Sequence, residues 1–188
     1  MISTIKRDLQ SFYSYPDVDS LDKKMKLRHF FKAFLDIDFR AIFIYRLACF
    51  LNRKGLKKIA ILLYYRLKSA HALDLSLYAE INPGLKFVHA FNIVVGPGVN
   101  IGKNCVIFNS VTLGNSNPGW KKEKNVNKEM PTIGDRTVLC PGVRVIGDIV
   151  VGDDVFIGAN SVVFKDIPSC ESWSGIPAKK ISYNSFCD

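Results

Sequence analysis

No run of apolar residues in this 188-residue sequence is longer than seven, at positions 59–65. A membrane-spanning helix needs about 20, so none is expected. The first ten residues also lack the apolar stretch of a secretory signal. Histidine is scarce, with three residues, and the five cysteines at 49, 105, 140, 170 and 187 form no C-x-x-C pair. Neither residue type offers a metal cluster, and an odd cysteine count argues against a complete disulfide framework. The expectation is a cytoplasmic chain with reduced thiols and no metal. Acidic residues are outnumbered, 17 against 26 Lys and Arg. The excess is confined to one region. Residues 1–70 hold 15 basic and 6 acidic residues, whereas residues 71–188 hold 11 of each. The chain therefore divides near residue 70.

The basic first third carries helical periodicity. Leu27, Phe30, Phe31, Phe34 and Leu35 follow the i, i+3, i+4, i+7, i+8 spacing of one helix face. Ile44, Leu47, Ala48 and Leu51 repeat it before Gly55, and Leu56, Ile59, Ala60, Leu63 and Leu67 make a third stripe. Arg40, Arg46, Arg53, Lys54, Lys57, Lys58, Arg66 and Lys68 stand between these stripes. Two readings stay open: a solvated basic face on a packed helical cap, or a face that meets anionic lipid at the inner side of a membrane. Nucleic acid is not expected, because the aromatic residues follow the apolar stripes and not the basic ones.

Beyond residue 70 the repeat has six residues. Ile133, Leu139, Val145, Val151, Ile157 and Val163 are evenly spaced, and Thr137, Val143, Ile149, Val155, Ser161 and Ile167 follow four residues behind each. Val95, Ile101, Ile107 and Leu113 keep the period upstream; Leu75, Ile81, Phe87 and Ile93 keep it two residues out of phase. Six residues advance a helix by about 600°, which would scatter the apolar positions around its surface. A short flat strand per hexad followed by a corner satisfies the pattern, and three hexads make a triangular coil of 18. Residues 75–92, 95–112, 133–150 and 151–168 give four coils of a parallel β-helix, interrupted by a polar excursion at 114–132. Long loops in compact domains are usually functional. The segment from Gly96 to Lys103 is not a P-loop, having five residues between its outer glycines and Asn104 where Ser or Thr belongs.

Residues 71–181 resemble the left-handed β-helix acyltransferases of the hexapeptide-repeat family, in the serine acetyltransferase branch. The resemblance rests on Ala72-Leu73-Asp74-Leu75, on the run from Val88 and His89 to Gly96, on Ser110-Val111-Thr112-Leu113-Gly114, on the run from Ile157 to Val163, and on Ser174-Gly175-Ile176-Pro177-Ala178-Lys179-Lys180. It implies a mainly β fold, a left-handed parallel β-helix of about four coils preceded by an α-helical N-terminal region. The domains would be a basic helical region at 1–70, the acyltransferase domain at 71–181 with its inserted loop at 114–132, and a tail at 182–188.

The resemblance also implies a homotrimer with active sites at subunit interfaces and acetyl-CoA as acyl donor. His89 matches the catalytic histidine and Asp74 its partner aspartate. A hydroxyl is a poor nucleophile at its ordinary pKa, so a neutral imidazole must take its proton during attack on the thioester. An aspartate on the other ring nitrogen would fix the tautomer. Gly114, Pro141 and Ala159 match the pantetheine site, and Lys165, Lys179 and Lys180 the nucleotide phosphates. A solvated charge pair is the rival reading for Lys179 and Lys180. His29 and His71 carry no motif.

Three departures bear on the acceptor. In serine acetyltransferases an acidic residue precedes the catalytic histidine, and here Val88 stands there. Those enzymes carry an Arg-His pair before the proline that follows the loop, and here Glu129 and Met130 precede Pro131. The groups matching a serine ammonium and carboxylate are thus missing. The expectation from these positions is a sugar-hydroxyl O-acetyltransferase of surface-polysaccharide synthesis, with Val88, Trp120 and Met130 facing the sugar. Serine O-acetylation is the alternative, and a catalytically silent scaffold a remoter one. A β-helix carbonic anhydrase would need three His ligands, and the coils contain only His89.

Overall fold

The hexads fold as the steric argument requires, each giving a strand of two or three residues and then a corner. The computed structural model describes residues 1–14, 27–115 and 130–183. The first turn is β1 (Asp74–Leu75), β2 (Glu80–Ile81) and β3 (Lys86–Val88), and the second is β4 (Val94–Val95), β5 (Asn100–Ile101) and β6 (Val106–Phe108). The third is β7 (Thr112–Gly114), β8 (Thr132–Ile133) and β9 (Val138–Leu139), and the fourth β10 (Arg144–Ile146), β11 (Val150–Val151) and β12 (Phe156–Ile157). β13 (Val162–Val163), β14 (Glu171–Gly175) and β15 (Ala178–Tyr183) finish the stack. Every third strand pairs in parallel register, so three flat sheets enclose a triangular prism. Among the described strands only β15 runs antiparallel, folding back on β14.

Most strands of the prism point a large apolar side chain inward. Leu75, Phe87, Val95, Ile101, Ile107, Leu113, Ile133, Leu139, Val145, Val151, Ile157 and Val163 are all buried in one continuous core. The two polar members of the second column satisfy their hydroxyls locally: Thr137 Oγ1 donates to the Gly152 carbonyl at 2.9 Å, and Ser161 Oγ to the Gly158 carbonyl at 2.6 Å. Turns stack so closely that a Cβ on Gly102 would lie 2.5 Å from the Gly134 carbonyl carbon. The phase slip is located at one corner. Asp74 pairs with Val94 and Phe87 with Ile107, twenty residues on, whereas later rungs such as Val145 and Val163 are eighteen apart. The two extra residues fall between β3 and β4.

Four helices precede the prism: α1 (Ile2–Ser14), α2 (Leu27–Leu35), α3 (Ile37–Arg53) and α4 (Lys57–His71). Asp36 caps α3, its side chain accepting from the amides of Asp38 and Phe39. α3 lies on the first turn through Ala41, Ile42 and Tyr45, whose hydroxyl donates to the Ser76 carbonyl at 3.0 Å. Arg46, buried, binds Asp8 of α1 and the carbonyls of Ile81 and Asn82. Asp8 also accepts from the amides of Gly84 and Leu85 at 2.8 and 3.0 Å.

Packing corrects the helical stripes. Among the described side chains of α2, Ala33 is buried and Phe30 partly so, while Phe31 and Leu35 are exposed. On α4 Ala60 and Leu67 are buried, and Leu56 and Ile59 are not. Small residues let these helices approach their neighbours closely, leaving large apolar side chains on the outside of the single chain. No described helix is long and apolar enough to cross a membrane. Cys49, Cys105 and Cys140 are free, but Cys170 is in a disulfide, against the expectation of reduced thiols throughout.

Candidate active site

The corner between β3 and β4 carries His89. Phe87 and Val95 are eight residues apart, against six from Ile107 to Leu113, Leu139 to Val145 and Ile157 to Val163. The other corners of this edge turn on one left-handed residue, Ser110, Gly142 or Asn160; the enlarged one uses two, His89 at φ 57° and Asn92 at φ 54°. A left-handed residue with a side chain costs about 1–2 kcal/mol. The extra residues make a bulge with His89 on it, and His89 is exposed.

A carboxylate holds that bulge. Asp38, in the first turn of α3, accepts from the His89 amide through Oδ2 at 2.9 Å and from the Ala90 amide through Oδ1 at 2.7 Å. Hydrogen bonds to a charged group contribute about 1.5–3 kcal/mol each, so the pair offsets the backbone strain even when discounted for partial exposure. Sequence reading missed Asp38. A side chain that binds main-chain amides 51 residues away leaves no spacing signal.

Asp74 starts β1 on the neighbouring sheet, and its amide donates to the Ile93 carbonyl at 2.9 Å. Its carboxylate accepts from Tyr64 Oη at 2.5 Å and Lys68 Nζ at 2.6 Å, both on α4. Burial pushes this carboxyl upward, but the bonds from Lys68 and Tyr64 outweigh it and leave its pKa below the ordinary value. No hydrogen bond joins the side chains of Asp74 and His89. Instead Asp74 faces a cavity of about 520 Å³ between α4 and the first sheet, lined also by Tyr64, Tyr78, Val94 and Gly96.

The corner of His89 continues down one edge of the prism. Ser110 N donates to the Phe91 carbonyl, Gly142 N to that of Asn109 and Asn160 N to that of Pro141, at 2.8–3.0 Å. Pro141 and Ala159 therefore stand in the same column as His89, three rungs away at the last, or about 14 Å at ~4.8 Å per rung. Gly114 closes β7, where a Cβ would meet open space. The three lysines are treated differently. Lys179 is exposed, Lys165 Nζ lies 5.0 Å from the centre of the Trp173 ring, and Lys180 Nζ is bound to Glu171 Oε1 at 2.6 Å. The hydrogen bond to Glu171 holds the Lys180 ammonium above its usual pKa, so Lys180 is engaged within the chain.

Of the residues expected to face a sugar, Met130 and Val88 are described. Met130 is buried in the main core, with its Sδ and Cε 3.4 Å from where a Gly96 side chain would begin. Val88 ends β3, partly buried and paired with Phe108. Trp120 and Glu129 lie outside the described residues.

Residues 130–165 match the family model described as bacterial transferase hexapeptide (six repeats). The chain is 35% identical over 144 residues to a serine acetyltransferase of Buchnera aphidicola, an alignment covering 77% of this chain and 51% of that protein. It is 37% identical over 142 residues to a serine acetyltransferase of Helicobacter pylori, covering 76% of this chain and 80% of that protein. The chain thus spans about half the length of the first relative and four-fifths of the second. A serine acetyltransferase of Brucella abortus in complex with coenzyme A superposes with a TM-score of 0.81 at 28% identity, covering 98% of this chain and 68% of that one. These likenesses overturn the expectation of a sugar acceptor. In the structure the carboxylate at the His89 corner is that of Asp38, bound to the His89 and Ala90 amides, and Met130 is in the core.

Proposed function

Because the chain belongs to the serine acetyltransferase family of hexapeptide-repeat transferases, we propose that it moves the acetyl group of acetyl-CoA to the hydroxyl of L-serine. The observation that carries this reading is His89, raised on a two-residue bulge at the head of the edge that also carries Pro141 and Ala159. The imidazole, neutral, takes the serine hydroxyl proton as the oxygen attacks the thioester carbonyl. Collapse of the tetrahedral intermediate breaks the carbon–sulfur bond, and the imidazolium returns the proton to the departing thiolate. O-acetyl-L-serine and CoA result, with no net proton change.

Main-chain groups of the edge at Pro141 and Ala159, with Gly114 at the end of β7, would line the pantetheine arm. Lys179 and Lys165 are the exposed cations for the phosphates. Lys180 would first have to leave Glu171, so we assign it the lesser part. Asp74 supports the site through charge; Tyr64 and Lys68 occupy one position on each of its oxygens and leave further lone pairs for an imidazole N–H. A homotrimer fits the exposed apolar side chains on α4 and the flat prism sides, and use of acetyl-CoA fits a cytoplasmic setting.

The test is thiol release from acetyl-CoA by the purified chain, with L-serine compared against a panel of sugars, nucleotide sugars and oligosaccharides. Saturable turnover with L-serine alone is the expected result. No release with L-serine, beside turnover with any of the others, overturns the assignment.

A further inference from the structure

In a stacked coil each corner amide finds its acceptor one rung back: Ser110 N on Phe91, Gly142 N on Asn109, Asn160 N on Pro141. The first turn has no rung behind it. Its corner amides would be orphaned, and buried or half-buried orphans are rare in folded chains. Two aspartates from the helices replace the missing rung. Asp8 takes the amides of Gly84 and Leu85 at one corner, and Asp38 takes those of His89 and Ala90 at another.

The two caps differ in what they hold. Asp8 closes a corner that carries no reactive side chain. Asp38 closes the enlarged corner, whose two extra residues add freedom where His89 sits at φ 57°. Resting on the reading of His89 as general base, we propose that Asp38 is a positioning residue for acetyl transfer. By binding both amides it fixes the left-handed backbone of His89, and so fixes the line along which the imidazole meets the acceptor hydroxyl. Misplacing a reacting group by about 1 Å costs on the order of 10²-fold in rate. An acid at position 88 would lie on the strand itself; Asp38 reaches the same corner from α3 and couples that helix to the histidine.

The experiment compares Asp38→Ala, Asp38→Asn and Asp8→Asn in the full chain, reading kcat, both KM values and Tm. Asp38→Ala is expected to lower kcat about 10–100-fold, with KM for acetyl-CoA within about twofold. Asp38→Asn keeps one acceptor oxygen and the same shape, so it folds and recovers part of the loss. Asp8→Asn, the same kind of cap at the other corner, lowers Tm without lowering kcat. A kcat within twofold of wild type in both Asp38 variants overturns the proposal, as does an equal kcat loss in Asp8→Asn. A second reading needs no acceptor: with 15N-labelled histidine, the His89 amide proton resonates downfield and moves upfield in Asp38→Asn. An unmoved resonance overturns the clamp whatever the acceptor. A moved resonance with no serine turnover in wild type sinks only the acceptor assignment.

Discussion

Because Asp38 binds main-chain atoms, the imidazole of His89 can be removed without dismantling its corner. His89→Ala is therefore expected to lower kcat by about 10²–10⁴ while acetyl-CoA binding, measured by calorimetry, stays unchanged. Asp74 gives a pH signature. Its pKa in the folded chain lies below the ordinary 3.8, so the carboxylate stabilises the fold above that value and loses the contribution as pH falls through the depressed one. The gap in urea midpoint between wild type and Asp74→Asn is expected at neutral pH and to close as pH falls through the depressed pKa. A gap independent of pH would remove the charge from its account. The positions of His89 and Asp74 stand out in the sequence because their flanking residues are themselves patterned. Asp38 does not, since helix packing alone brings it to the histidine.

Helix α3 depends on its start. Asp36 satisfies two of the orphan amides there, and Asp36→Ala should cost about 1 kcal/mol, read by thermal or urea unfolding. The rungs depend on their spacing. Gly102→Ala places a methyl group against the Gly134 backbone, and overpacking of this kind costs about 1–3 kcal/mol. A Tm equal to that of wild type would mean that the rungs can part there. Hexads were readable because every strand needs one inward aliphatic and tolerates little else. Helix faces were less so: Ala33 and Ala60 are buried while Phe31 and Ile59 are exposed, and hydrophobicity alone cannot tell contact from surface. α1 escaped notice because its apolar positions, Ile5, Leu9 and Phe12, are interleaved with the buried polar Asp8 and Ser11.

At the scale of the molecule, light scattering should give about three times 21.1 kDa; a monomer still active on dilution would defeat a site shared between subunits. The reversal of β15 against β14 has a separate effect. A parallel solenoid is a template: its last rung offers a row of amides and carbonyls on which another chain could continue the stack indefinitely. An antiparallel strand laid over that rung gives the incoming chain the wrong polarity, as Asp8 and Asp38 deny it a free rung at the other end. The prism is a filament seed with both ends blunted, and shortening the chain before β15 is expected to make it a nucleus for fibre growth.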